Sequence, residues 1–165
     1  MVSEKLGREH QALLQDRLKN AGSFLSEFSL ANRYLFRETH DYHVVTVPEG
    51  IFISGRAYDG SRFLMPTEEI RKEQTDALLR LLKEGEYIFP VPEEWLSAFD
   101  EKKVFFDSSE DDSDYIYTVG KLSTYKGQQL HGQKNLLNQF LSRYAPEAGP
   151  LTKDRMNEAR EILEV

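Results

Sequence analysis

The sequence predicts a mixed α/β (α+β) fold: a single module with a twisted, mostly antiparallel sheet flanked by helices on both faces. Three observations predict it. Short β-branched runs flank the tight-turn pair Asp59-Gly60 in the first half. Apolar residues recur at helical spacing before and after those runs. No repeat, low-complexity tract or linker divides the chain before Ala145. A chain of 165 residues is also long enough to bury roughly 70% of its unfolded surface around one core.

The elements follow in order. Ser3 to Asn20 carries Leu6, His10, Leu13, Leu14 and Leu18 at helical spacing, and Ala21-Gly22 stops the helix. Ser23 to Arg37 brings Phe24, Leu25, Phe28, Tyr34, Leu35 and Phe36 as a second helix entering the core. Tyr42 to Val47 is β-branched and strand-like, and Ile51 to Ser54 and Arg62 to Met65 form a hairpin across the Asp59-Gly60 turn. Thr67 is placed to cap a helix running to about Lys83, with Ile70, Leu78, Leu81 and Leu82 inward and Gly85 ending it. Tyr87 to Phe89 is a short strand. Pro92 fits the first turn of a short helix with Glu93, Glu94 and Trp95. Val104 to Phe106 is a further strand candidate, and Asp107 to Asp114 is an acidic, solvated loop without the glycine and spaced oxygens of an EF-hand.

The stretch from Asp114 to Phe140 carries most of the chemistry. It reads as a run of aromatics, a glycine-closed turn at Lys126-Gly127, and a helix over 128–144. At 100° per residue, Leu136, Leu137, Phe140, Leu141 and Tyr144 share one side of that helix, which is expected to be buried. His131, Lys134, Asn135 and Asn138 share another, at i, i+3, i+4 and i+7. Such a row offers hydrogen-bond donors to an anionic or carbonyl ligand, or it is a solvated polar face; the spacing alone fits both.

Composition excludes several classes. The formal charge of −7 argues against sequence-independent nucleic-acid binding, which needs clustered Lys and Arg. With no cysteine there is no disulfide, thiolate nucleophile or cysteine-ligated metal. No apolar run approaches the ~20 residues of a membrane span, so no integral membrane association is expected. Met1 to Asn20 is too charged for a signal peptide, and the chain reads as cytoplasmic. No serine sits in a Gly-x-Ser-x-Gly elbow, and His40 and His43 do not have the spacing of a zinc pair on a helix, so catalytic residues are not assigned and no metal is expected. Trp95 beside Pro90 and Pro92 reads as a buried core residue rather than a peptide-binding surface. Gln129 to Lys134 partly matches the Gln/Arg-x-x-Gly-x-Gly/Ala loop with which GNAT acyltransferases hold coenzyme A pyrophosphate. Lys134 replaces a small residue at its last position, and the match lies inside the predicted helix.

Taken together, these residues give the chain a resemblance to a family related to the C-terminal domain of bacterial phosphatidylglycerol lysyltransferases. The shared features are Ser26-Glu27-Phe28-Ser29 with Asn32, Tyr34, Leu35 and Arg37, followed by Asp114-Tyr115-Ile116-Tyr117, Leu122, Lys126-Gly127, His131, Lys134-Asn135 and Phe140. The resemblance implies a GNAT-like fold in two tandem modules and transfer of an acyl or aminoacyl group to an amine or hydroxyl, with acyl-CoA or aminoacyl-tRNA as donor. It implies that residues 1–145 form one GNAT-like module, and that 146–165 are a linker and helix leading toward a second. It places donor or substrate binding at Lys126, Gly127, His131, Lys134 and Asn135. A small anionic ligand and a homo-oligomer are the expected partners. Three roles remain open: a transferase module that is not catalytically complete alone, a non-catalytic ligand-binding or regulatory domain, and a self-associating scaffold.

Overall fold

A computed structural model describes residues 1–110 and 113–163, in two compact units: one from Met1 to Asp114, the other beginning at Tyr115. The first unit is built on a five-stranded sheet in the order β1-β2-β3-β4-β5: β1 (Val2–Lys5), β2 (His43–Val47), β3 (Gly50–Arg56), β4 (Arg62–Pro66) and β5 (Glu86–Ile88). All neighbours are antiparallel except β4 and β5. The mixed α/β fold class is therefore as the sequence predicts.

Strand alternation sorts the core. One face carries Val44 opposite Ile53, Ile53 opposite Met65, and Gly55 opposite Phe63. Helix α2 (Leu30–Leu35) lies on that face, because Arg33 donates to the Tyr42 hydroxyl, and α1 (Gln11–Asn20) packs against α2. Gly55 is needed there: a Cβ would fall 2.7 Å from both the Phe63 and Tyr42 rings. The other face carries Val45 opposite Phe52, and Phe52 opposite Pro66. Helix α3 (Lys72–Leu81) covers part of it, with Leu78 and Gln74 against Phe52 and Pro66 around a crevice of about 20 Å³, room for one water at most. With aliphatic side chains inward on both faces, the hydrophobic effect holds helices to each.

Several expectations are corrected. The helix from Ser3 is instead the edge strand β1, a 3-10 turn at Arg8–His10, and then α1. β1 keeps all four side chains exposed and is held by backbone pairing to β2, so the side-chain periodicity carried no sign of it. Of the residues at helical spacing, Leu6, His10, Leu14 and Leu18 are buried and Leu13 is exposed. The second helix shrinks to a 3-10 turn at Ser26–Phe28 followed by α2, whose N-cap Ser29 accepts from the Asn32 backbone N–H. Phe28 is buried there, whereas Phe24, Leu35 and Phe36 face solvent.

Thr67 does not cap α3. Its hydroxyl, wholly buried, donates to the Ile51 carbonyl at 2.6 Å, and α3 opens at Arg71, whose N–H donates to the Gln74 side chain. Val104 to Phe106 forms no strand, and Phe105 is almost fully exposed. Pro92 precedes a 3-10 helix, Glu93–Ala98, that carries Trp95 edge-on to Phe28 at 5.5 Å between ring centres. The acidic loop 107–114 includes two residues outside those described; its end is anchored by Asp114, which accepts from the Ser26 N–H at 2.7 Å.

The second unit is helical: α4 (Val119–Thr124), a 3-10 turn at Gln128–Leu130, α5 (His131–Tyr144), another 3-10 turn at Lys153–Arg155 and α6 (Met156–Leu163). α4 was hidden in the aromatic run, because six residues give too little periodicity to see. Leu130, at the end of the 3-10 turn before α5, is buried. The apolar stripe of α5 is not buried, contrary to expectation: Leu136, Leu137, Phe140, Leu141 and Tyr144 are between 37% and 67% exposed.

Candidate functional site

The sequence-predicted residues lie on the turn and helix that open the second unit. Thr118 caps α4 by accepting from the Lys121 N–H at 3.2 Å. The helix stops at Tyr125, left-handed at φ 47°, and the chain reverses through Gly127 at φ 107°, a conformation that glycine adopts without a Cβ penalty. Lys126 is carried on this reversal. The chain then winds through a 3-10 turn into α5, which begins at His131. The partial pyrophosphate-loop match therefore straddles the start of α5 instead of lying inside it, with Gly132 in the first turn.

On α5, His131 and Asn135 are one turn apart, and the Asn135 amide lies 3.4 Å from His131 Nδ1. Lys134 and Asn138 fall on the same side of the helix by spacing. Lys126, Gly127, His131, Lys134 and Asn135 are all exposed. Neither Lys126 nor Lys134 makes an ion pair with any described residue. An unpaired ammonium at an exposed position keeps its donors available for an incoming anion. The row and turn present unpaired hydrogen-bond donors to solvent, with no nucleophile next to a base.

Two further basic residues were not singled out from sequence: Lys121 on α4 and Arg143 on α5. The signal was present. Between Tyr115 and Pro146 there are four Lys or Arg and no Asp or Glu, so all 28 acidic residues lie elsewhere. Averaging charge over the whole chain concealed a cationic stretch interleaved with Tyr115, Tyr117, Tyr125, Phe140 and Tyr144.

The other histidines have local partners. His40 stacks on Tyr42 at 5.3 Å and meets Tyr58 edge-on at 4.8 Å, with Nδ1 2.9 Å from the Arg56 carbonyl. His10 is buried, its Nδ1 accepting from the Gly7 N–H at 3.1 Å. Among the described residues, no three His, Cys, Asp or Glu side chains converge as a metal site would require.

The segment from Ser26 to Arg37 does not form a site; it is a buried polar anchor. Arg33, 4% exposed, donates through Nε to the Glu27 carbonyl at 2.7 Å and through Nη1 to the Tyr42 hydroxyl. Its Nη2 lies 3.6 Å from a Glu27 carboxylate oxygen. Burial lowers the Arg33 pKa from its usual range, with Tyr42 and Glu27 opposing that shift, and burial raises the Tyr42 pKa above its ordinary value. Asn32 completes the turn, its amide donating to the Ser26 carbonyl at 3.2 Å. Arg37 stacks on Tyr34 at 3.9 Å from the ring centre.

A family model described as phosphatidylglycerol lysyltransferase, C-terminal, matches residues 19–165. No curated protein and no solved structure matches the chain. The match spans the anchor at Ser26–Arg37, four of the five strands and the cationic turn and helix. The chain belongs to the family of phosphatidylglycerol lysyltransferase C-terminal domains.

Proposed function

We propose that this chain is a GNAT-like acyl- or aminoacyl-transferase module that binds the anionic part of a donor or acceptor and is not catalytically complete alone. The observation that carries this reading is the acid-free stretch from Tyr115 to Pro146, which exposes Lys126, His131, Lys134 and Asn135 together. Phosphate-rich donors such as acyl-CoA or aminoacyl-tRNA suit such a surface, because charge-assisted hydrogen bonds to phosphate are about twice as strong as neutral ones. The GNAT-like assignment is supported by the mostly antiparallel sheet with helices on both faces and by the family. Incompleteness is supported by the departure of Gln129 to Lys134 from the pyrophosphate-loop pattern, with Lys134 in place of its last small residue.

A second reading is favoured by a different observation, the exposed stripe on α5. Five adjacent apolar side chains on one helix face are a surface that recruits a partner, and a second copy is the proposed one. Native mass spectrometry with and without acyl-CoA and aminoacyl-tRNA tests both readings. Ligand adducts on the chain support the first, and a species at twice the 19.1 kDa chain mass supports the second. A bare 19.1 kDa monomer under every condition would overturn both.

A further inference from the structure

The sheet face that α3 covers only in part carries a groove of about 190 Å³, lined within the first unit and by none of Lys126, Gly127, His131, Lys134 and Asn135. At ~30 Å³ per water, that is room for about six waters or one small metabolite. Its floor is aliphatic: Val45 and Val47 from β2, Leu64 from β4 and Leu81 from the end of α3. Register assembles a polar rim at one end, where His43 lies opposite Ser54 and Arg62 opposite Glu86. Asp41, just before β2, stands behind that rim, 3.6 Å from Arg62 and 3.8 Å from His43 through its carboxylate.

These rim groups are poorly satisfied by one another. His43 Nδ1 lies 2.9 Å from the Asp41 carbonyl, which can only accept, so Nδ1 donates there, while Nε2 meets no described residue. Arg62 sits 3.6 Å from an Asp41 carboxylate oxygen and 4.0 Å from a Glu86 oxygen. Those separations give attraction but lie beyond hydrogen-bond range, so its guanidinium donates to no described residue. The Lys83 ammonium makes no ion pair with a described residue, although its backbone N–H holds Glu86 at 3.0 Å. The Ser54 hydroxyl is likewise without a partner among the described residues.

We propose that this groove binds a free, apolar α-amino acid as its zwitterion. The ammonium sits between Asp41 and Glu86, the carboxylate meets Arg62 and Lys83, and the aliphatic side chain lies on Val45 and Leu64. A plain carboxylate would face two acidic groups already within 4.0 Å of the same guanidinium. A plain amine would leave Arg62 and Lys83 unused. A zwitterion satisfies both signs at once, meeting carboxylates with its ammonium and cations with its carboxylate. The inference does not rest on the donor site proposed for the second unit.

The test is an NMR titration of the full chain with L-leucine. Saturable shifts are expected at the His43 ring and at the Val45 and Leu64 methyls. Leucine is expected to bind at least about tenfold more tightly than lysine, 4-methylpentanoate or isopentylamine, each of which lacks one part of the match, or than N-acetyl-leucine amide, which lacks both charges. Arg62→Met and Glu86→Gln should each weaken leucine at least about tenfold while preserving spectral dispersion. No shift at the groove with leucine would overturn the proposal. So would equal binding by the capped amide, a comparison on the wild-type chain that stands even if a variant fails to fold.

Discussion

Replacing Arg33 by Met should be among the most damaging substitutions on α2. The wild-type guanidinium is 4% exposed and serves the Glu27 carbonyl, the Glu27 carboxylate and the Tyr42 hydroxyl together. Methionine fills much of the volume but leaves the Glu27 carbonyl and the Tyr42 hydroxyl without this donor and the Glu27 carboxylate without its cation. Removing one member of a buried pair costs ~3–5 kcal/mol, because the remaining charge stays desolvated and unpaired. The Glu27 side chain retains 20% exposure, so part of its solvation survives and the lower end, about 3 kcal/mol, is expected. At about 2–4 °C per kcal/mol for a chain of this size, the melting temperature should fall by about 6–12 °C. Urea denaturation gives the free energy directly and calorimetry the temperature. The double variant Arg33→Met, Glu27→Leu should recover most of the loss, because an apolar pair leaves no stranded charge. A loss below about 1 kcal/mol for Arg33→Met, or a double variant worse than the single, would refute the reasoning.

Two smaller predictions follow from neighbouring groups. Tyr42 has a folded-state pKa raised by burial, so its contribution to stability is complete below its unfolded value of about 10 and is lost as pH rises through the folded one. Denaturation midpoints of the wild type should therefore fall more steeply above about pH 10 than those of Tyr42→Phe; parallel curves would contradict the assignment. Thr67→Val should cost about 1–2 kcal/mol in urea, through the unpaired Ile51 carbonyl. It should leave α3 helicity by circular dichroism unchanged, whereas a loss of helix content would restore Thr67 to the capping role.

The comparison of sequence with structure turns on how each element is stabilised. β2, β3 and β4 are legible as short apolar runs because both sheet faces are covered: Val44 and Val45 are both buried, as are Phe63, Leu64 and Met65. β1 is not, because an edge strand with every side chain exposed is held by main-chain hydrogen bonds alone. Phe24, Leu35 and Phe36 were read as core, since an aromatic residue looks the same in sequence whether buried or exposed. The candidate row His131, Lys134 and Asn135 was legible because helical spacing fixes which residues share a face. Lys121 and Arg143 were lost to an average over the whole chain. Arg33 escaped notice because nothing local marks an arginine whose partners, Glu27 and Tyr42, are brought to it by the fold.

The measurement that bears most directly on the proposed role is calorimetric titration of wild type and Lys134→Ala with acyl-CoA and aminoacyl-tRNA at two salt concentrations. If the cationic row receives the anionic part of the ligand, the wild type binds at least one of the two. The substitution should then weaken that binding by roughly 1–3 kcal/mol, about 5- to 150-fold, and flatten its salt dependence, with the melting temperature unchanged. Equal affinity and equal salt dependence for the two proteins, or no binding of either ligand to the wild type, would contradict it.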